Sequence, residues 1–242
     1  MNPVARALGV AGGMALGGLA AGVALVVAVV SAVRAVGVDP SPAALLVLSL
    51  LLVQGVTFGG VGLAYFRARG RSPRSLVASP TVRDLAVAAA GYVLALGAAV
   101  AGAVAVSFAG LETGRNVVAE AAIRNPDLLL LLVPASFLLV GPGEELLFRG
   151  VVQGRLRETL SAPAAVVLAA ALFAAVHFVA LSGSVGARLV TVLVLFGPAL
   201  VFGTAYEVTD NLVVPALIHG AYNATLFSLL YVSLRFAGGP GP

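Results

Sequence analysis

The chain has 242 residues, of which 60% are hydrophobic and only 10% are charged. Soluble domains carry about 25% charged residues, so this composition excludes a soluble globular domain as well as a disordered chain. The apolar residues form long unbroken runs, whereas a transmembrane β-barrel would show short alternating segments. The sequence therefore predicts an all-α, polytopic bundle of transmembrane helices.

A span of the hydrocarbon core needs about 20 apolar residues. By this criterion the sequence predicts seven spans, at about 7–33, 42–66, 85–110, 127–148, 162–182, 188–206 and 211–234. An eighth span would require a re-entrant turn between residues 5 and 38, and we prefer seven. No linker separates these runs, but the motifs described below lie only in the later ones. We therefore distinguish a motif-free region 1–126, a core 127–235 and a tail 236–242.

All 14 basic residues are arginines, and they lie mainly in short loops between the apolar runs. This placement indicates membrane orientation by the positive-inside rule and gives no support for a nucleic-acid partner. The loop after the second run is the most basic, with Arg67, Arg69, Arg71, Arg74 and Arg83. We therefore expect an integral protein of the cell membrane with a cytoplasmic N-terminus and the loop at 111–126 outside. Residues 149–160 alternate arginine with apolar residues, which predicts a surface helix there and a fifth span that begins near Val166.

Ionisable groups inside spans are costly, by roughly 2.5–3.5 kcal/mol at a helix centre, so they are candidates for function. The chain has no cysteine, which excludes a thiol nucleophile or thiolate metal site, and it has only two histidines. Polar residues occur in three of the later runs and share helix faces at i, i+4 spacing. The pairs are Glu145 with Arg149, Phe173 with His177, and His219 with Asn223, and Glu144 precedes the first of them.

Pro142 lies between two glycines just before Glu144. Proline removes a helical hydrogen bond, and we interpret the glycines as loosening the helix further, so a water-accessible cavity is expected beside Glu144. Other interpretations stay open for the flanking residues. Glu145 and Arg149 fit a structural ion pair as well as a supporting role. Asn223 fits hydrogen bonding between helices, and Phe173 fits core packing beside the site.

The motifs Glu144-Glu145-x-x-x-Arg149, Phe173-x-x-x-His177 and His219-x-x-x-Asn223 resemble those of the CPBP family over residues 127–226. This family comprises CAAX prenyl protease type II-like and bacteriocin-processing proteases and is also called the ABI family. The resemblance implies a membrane-embedded endopeptidase in which Glu144 and His177 activate the attacking water. It further implies that His219 and Asn223 bind that water, a metal or the oxyanion, while Glu145 and Arg149 support the site.

The resemblance leaves the cofactor open, because both metalloprotease and metal-free schemes are argued for the family. The residue types agree with either scheme. Peptide hydrolysis without a covalent nucleophile needs an activated water, a general base and an oxyanion stabiliser. Alternatively Glu144, His177 and His219 are candidate ligands for one divalent metal such as Zn²⁺, with a position open for water. We favour the metal-free scheme.

The leading hypothesis is a protease that acts from the cytoplasmic side on a membrane-associated peptide or lipidated C-terminus, with the bilayer as its surroundings. The alternative is a non-proteolytic membrane scaffold or bacteriocin-immunity factor on the same fold. A proton-coupled transporter is the third class, since buried Glu and His also form proton relays. It is disfavoured because the halves of the chain show no inverted repeat.

Overall fold

The computed structural model describes residues 2–236 and shows a bundle of membrane-spanning helices, as the composition predicts. Within that part of the chain, seven helical stretches are long and apolar enough to cross a membrane. We number them spans one to seven: Pro3–Ala35, Pro42–Ala68, Val82–Phe108, Leu128–Arg157, Ala162–Ala180, Val185–Thr209 and Val213–Phe236. The protein is thus an integral membrane protein, and the predicted tail lies beyond the described residues except for Phe236.

Capping residues set where several spans begin. The hydroxyl of Ser41 accepts the N–H of Ala44 at 3.2 Å, and proline occupies the first position of span two. Thr81 and Asp84 form a capping box at the start of span three. Ser184 caps span six in the same manner. Such side chains satisfy helix-end N–H groups that have no partner within the helix.

Two spans contain π-helical turns, which are frequent at functional sites. Span two consists of Pro42–Ser49 (α), Leu50–Gly59 (π) and Gly60–Ala68 (α). Span four consists of Leu128–Ala135 (α), Ser136–Val140 (π), Gly141–Glu145 (α), Leu146–Gln153 (π) and Gly154–Arg157 (α). The helix therefore continues through Pro142, because the wider turn before it accommodates the missing N–H donor.

Span five ends in a tighter turn, with Ala162–Val176 α-helical and His177–Ala180 in a 3₁₀ turn. Its last residues lead into a two-residue strand, Leu181–Ser182, which pairs antiparallel with Arg115–Asn116. The remaining short elements are a helix at Val117–Arg124, between spans three and four, and a 3₁₀ turn at Pro73–Leu76.

The expected surface helix at 149–160 is wrong, as is the late start of span five near Val166. Span four runs on to Arg157, and span five begins at Ala162. Two polar side chains of this segment point inward because the bundle supplies acceptors: Arg149 donates to the carbonyl of Ala199 at 3.2 Å and Gln153 donates to that of Gly203 at 3.1 Å. An alternation of arginine with apolar residues therefore marked a buried polar stripe.

The continuous fourth span also brings its carboxylates to the depth of the fifth. At 1.5 Å per residue, Glu144 lies about 20 Å from the helix end at Arg157, and His177 lies about 22 Å from the start at Ala162. These two ends face the same side of the bundle. The early and late spans share one core, since Ala11 and Ala15 of span one lie in the same buried cluster as Leu147 and Phe173. The core thus crosses the boundary that we drew at residue 126.

Candidate active site

Two predicted residues, His177 and His219, converge on one carboxylate oxygen of a third, Glu144. Glu144 is buried in the middle of span four, with its Oε2 atom 3.8 Å from Nε2 of His177 and 3.8 Å from Nε2 of His219. These separations exceed a direct hydrogen bond. The arrangement places two imidazole nitrogens and a carboxylate oxygen around one small volume, which suits shared binding of a single small group.

His177 is oriented by its own helix. Its Nδ1 atom lies 2.7 Å from the carbonyl oxygen of Phe173, one turn earlier. A carbonyl oxygen only accepts, so Nδ1 carries the hydrogen and, in the neutral ring, Nε2 is the acceptor. That acceptor faces Glu144. The His177 side chain is 24% exposed, which makes it the most accessible of the three groups.

His219 is held by a buried ionic chain. Its Nδ1 atom lies 2.8 Å from Oε1 of Glu145, whose Oε2 atom lies 3.0 Å from Nε of Arg149. The ion pair that the i, i+4 spacing predicts is therefore present, with both side chains fully buried. The Nε–H group of Arg149 is not aligned for a hydrogen bond to Glu145, so the contact between the two side chains is electrostatic. The chain fixes the ring with Nε2 toward Glu144.

Aromatic rings fix the same groups from the other side. The ring of Phe173 lies 4.6 Å from that of His177 and 5.6 Å from that of His219, measured between centroids. Phe202 of span six stacks on His219 at 4.8 Å with an interplanar angle of 18°. The guanidinium of Arg149 lies 5.1 Å from the Phe173 centroid, a cation–π contact that stabilises a buried charge. Both imidazoles consequently have little rotational freedom.

Asn223 is the predicted site residue that the structure does not bring into this cluster by a contact. It lies one turn beyond His219 on span seven and is half-buried. Among the described residues its side chain forms no hydrogen bond with Glu144, Glu145 or either histidine. Its predicted role in holding the oxyanion therefore depends on the family resemblance alone.

The glycines beside Pro142 are packing residues, contrary to our interpretation that they loosen the helix. A Cβ atom on Gly143 would clash with the backbone carbonyl of Gln54 in span two. A Cβ atom on Gly141 would lie 2.8 Å from the carbonyl oxygen of Ala216 in span seven. Only glycine permits these approaches. Span four is thereby pressed between spans two and seven at the level of Glu144.

The close approach of span two supplies a residue that the sequence analysis missed. Nε2 of Gln54 donates a hydrogen bond to Oε1 of Glu144 at 2.7 Å. An available signal was that Gln54 is the only amide side chain in the second apolar run. Phe202 was missed too, and no sequence signal sets it apart from other phenylalanines.

A cavity of about 360 Å³ adjoins Glu144 and His177, in the place where the sequence predicts a cavity. It extends toward the end of the bundle that carries the 111–126 segment, where Val117 and Val118 line it. In the opposite direction, Leu147 and Leu156 are fully buried and fill the bundle. The cavity thus extends away from the arginine-rich loops. On the side of those loops, a second and larger cavity of about 670 Å³ is lined by Pro73, Arg74 and Pro142, so the side of access and the placement of the loops both stay predictions.

The side chains of this cluster are of the types that bind metal ions in proteins. Glu144, His177 and His219 would be the ligands, and each imidazole already donates its other N–H to an oxygen, as metal-bound histidines do. Ligands of a tetrahedral Zn²⁺ at 2.0–2.1 Å lie about 3.4 Å apart. The observed 3.8 Å separations are wider, and no three such side chains among residues 2–236 are close enough to hold a metal as they stand.

Residues 126–225 match the family model described as Type II CAAX prenyl endopeptidase Rce1-like. The matched segment contains every site residue that the sequence predicts, from Glu144 to Asn223. Spans one to three, with Gln54, lie outside it. Neither a curated protein nor a solved structure matches the chain.

Proposed function

We propose that the chain is an intramembrane endopeptidase of the type II CAAX kind, as the Rce1-like match of residues 126–225 indicates, and that it uses a water activated by Glu144 and His177. The observation that carries the proposal is the convergence of both histidine Nε2 atoms on Oε2 of Glu144, each at 3.8 Å. The substrate in this proposal is a membrane-associated peptide, and the site of action is the cell membrane.

The reaction begins with a water held between Glu144 and His177. The water oxygen attacks the carbonyl carbon of the scissile peptide bond while its proton passes to Oε2 of Glu144. The C–N bond of the resulting tetrahedral intermediate then breaks, and the proton moves from Glu144 to the departing amine. Atoms and charges balance with Glu144 returned to its ionised form.

His219 is placed to stabilise the negative charge that develops on the carbonyl oxygen. Glu145 faces Nδ1 of His219 and compensates a positive charge on that ring, as a carboxylate does for a catalytic histidine. A protonated Nε2 is a hydrogen-bond donor preorganised in a site of low polarity, where such donors are most effective. Arg149 in turn lies 3.0 Å from Glu145 and pairs with it. A divalent metal bound by Glu144, His177 and His219 would supply Lewis-acid polarisation in place of this proton.

The proposal is tested with purified protein in lipid nanodiscs and a panel of membrane peptides. The panel contains an apolar transmembrane peptide, a juxtamembrane peptide and a prenylated C-terminal peptide. We expect cleavage of at least one peptide by the unaltered protein and none by Glu144→Gln. Glu207→Gln is the matched control, because Glu207 is a carboxylate in span six that pairs with Arg157 away from the cluster. Equal cleavage by the unaltered and Glu144→Gln proteins would overturn the proposal.

A further inference from the structure

The larger cavity, of about 670 Å³, lies between span four, span seven and the 3₁₀ turn at Pro73–Leu76. We call it the flank groove. Its side walls include Phe137 and Leu217, whose side chains are exposed, so it opens on the outside of the bundle. Sites for small molecules usually enclose about 300–1,000 Å³. The flank groove therefore has the size and the accessibility of a binding site that faces the lipid.

The groove follows the first turns of span seven. It extends from Leu212, whose N–H bonds to the carbonyl of Leu76, to Phe137, whose ring lies against Gly220. Eight residues separate Leu212 from Gly220, which is about 12 Å along a helix. The apolar part of one leaflet is about 15 Å thick. The groove is thus long enough to hold most of one acyl chain that lies parallel to the helix.

Arg74 is the one polar residue that lines the groove. Among residues 2–236, it forms hydrogen bonds through its backbone only, and its guanidinium has no carboxylate within ion-pair distance. Other arginines on this side of the bundle are paired, such as Arg69 with Glu158 at 2.7 Å. No acidic residue occurs in the segment 68–82. An unneutralised arginine beside an apolar groove complements an anionic headgroup that carries an acyl chain.

The backbone of span four separates this groove from the active-site cavity. Pro142 and Leu146 line the groove, whereas Glu144, which lies between them in the sequence, lines the cavity. Residues two apart on a helix point in directions about 200° apart. The two cavities share no lining residue. A molecule in the groove therefore packs behind the turn that carries Glu144 and does not reach its carboxylate.

We propose that the flank groove binds one anionic phospholipid of the surrounding leaflet. An acyl chain packs against spans four and seven, and the phosphate lies beside Arg74. The apolar lining recognises the chain, while the single positive charge selects an anionic headgroup over a zwitterionic one. This site is separate from the catalytic cluster, and the proposal does not depend on the endopeptidase function.

Tryptophan fluorescence tests the site, because the chain contains no tryptophan. Leu217→Trp places a single fluorophore at the groove, and Val167→Trp places one at an exposed position near the start of span five. Each protein is reconstituted in vesicles of phosphatidylcholine and phosphatidylglycerol, with quenching bromine atoms on the acyl chains of one lipid or the other. At Leu217→Trp we expect phosphatidylglycerol to bind about fivefold more tightly than phosphatidylcholine, the usual contribution of one arginine. At Val167→Trp the two lipids should quench almost equally.

Substitutions of arginine show whether the preference comes from the groove. In the Leu217→Trp protein, Arg74→Gln should abolish the preference for phosphatidylglycerol, and Arg74→Lys should keep most of it because the charge remains. Arg6→Gln is the matched control, since Arg6 is an exposed arginine of span one that does not line the groove. It should leave the preference unchanged.

Three results would overturn the proposal. The first is equal quenching by the two lipids at Leu217→Trp, and the second is a preference that survives Arg74→Gln. The third is displacement of the brominated lipid by a prenylated C-terminal peptide without any headgroup preference, which would assign the groove to a substrate. Addition of Glu144→Gln should leave the lipid preference intact, so the outcome is independent of whether the protein cleaves peptides.

Discussion

Glu145 accepts a hydrogen bond from Nδ1 of His219 at 2.8 Å, across the interface between spans four and seven. The same carboxylate lies 3.0 Å from Arg149 on its own helix. One residue thus links the guanidinium of Arg149 to an imidazole whose Nε2 atom faces Glu144. The i, i+4 spacing predicts only the contact within the helix.

The first prediction concerns the stability of this ionic chain. Glu145→Ala leaves Arg149 buried without its partner, and loss of one partner of a buried pair costs about 3–5 kcal/mol. Arg149→Ala should cost a similar amount. The double variant should be less damaging than the sum of the two, measured as thermal unfolding in detergent. Additive effects would show that the two side chains are not coupled.

Turnover by Glu144→Gln is the second prediction. The substitution keeps the shape of the side chain and an acceptor for Gln54 but removes the base. We expect kcat to fall by about 10²–10⁴-fold, the usual contribution of general acid–base catalysis. The melting temperature should change little. The control Glu207→Gln should keep kcat close to that of the unaltered protein, and a comparable loss there would point to a general effect of removing carboxylates.

A third prediction follows from the packing of Gly143. In Gly143→Ala the new methyl group meets the carbonyl of Gln54, so spans two and four must separate. Overpacking of this kind costs about 1–3 kcal/mol. Displacement of a positioning group by about 1 Å can lower the rate by 10²-fold. Gly97→Ala is the control, since Gly97 has no neighbour within 4 Å, and it should leave melting temperature and kcat unchanged or slightly raise the former. Equal behaviour of the two variants would contradict the proposed role of this contact.

The fourth prediction is the membrane orientation. The chain has no native cysteine, so a single cysteine that replaces Arg71 or Glu112 is the only thiol that can be labelled. Impermeant maleimide should label them from opposite sides, with the Arg71 position cytoplasmic by the positive-inside rule. The side on which the Glu112 position is labelled is also the side toward which the active-site cavity extends. Labelling of both from one side would contradict the order of spans.

The fifth prediction is that activity persists after removal of metals. The separations of 3.8 Å between Glu144 and each histidine suit a bridging water better than direct ligation. Protein dialysed against chelator should retain its kcat, with metal content followed by elemental analysis. About one equivalent of bound metal, together with a loss on chelation that added Zn²⁺ reverses, would show that the activator is a metal ion.

The sequence predicts the helical class, the span number and the candidate site residues because each depends on local patterns. Apolar run length defines a span, and i, i+4 spacing places His219 and Asn223 on one face. Gln54 and Phe202 could not be assigned in this way, since their roles depend on which helices lie side by side. The error at 149–160 has the same origin. From the sequence alone, Arg149 cannot be distinguished from an arginine at the membrane interface. Its burial depends on the carbonyl oxygen of Ala199, which lies on another span.

The fifth span is the shortest of the seven, with 19 residues in Ala162–Ala180. His177 begins its final 3₁₀ turn, so at about 2 Å per residue the imidazole lies only about 6 Å from the end of the helix. Half of a hydrocarbon core is about 15 Å thick. In the proposed reaction each hydrolysed bond consumes one water molecule, and the position of His177 close to the helix end shortens the apolar layer that this molecule must cross.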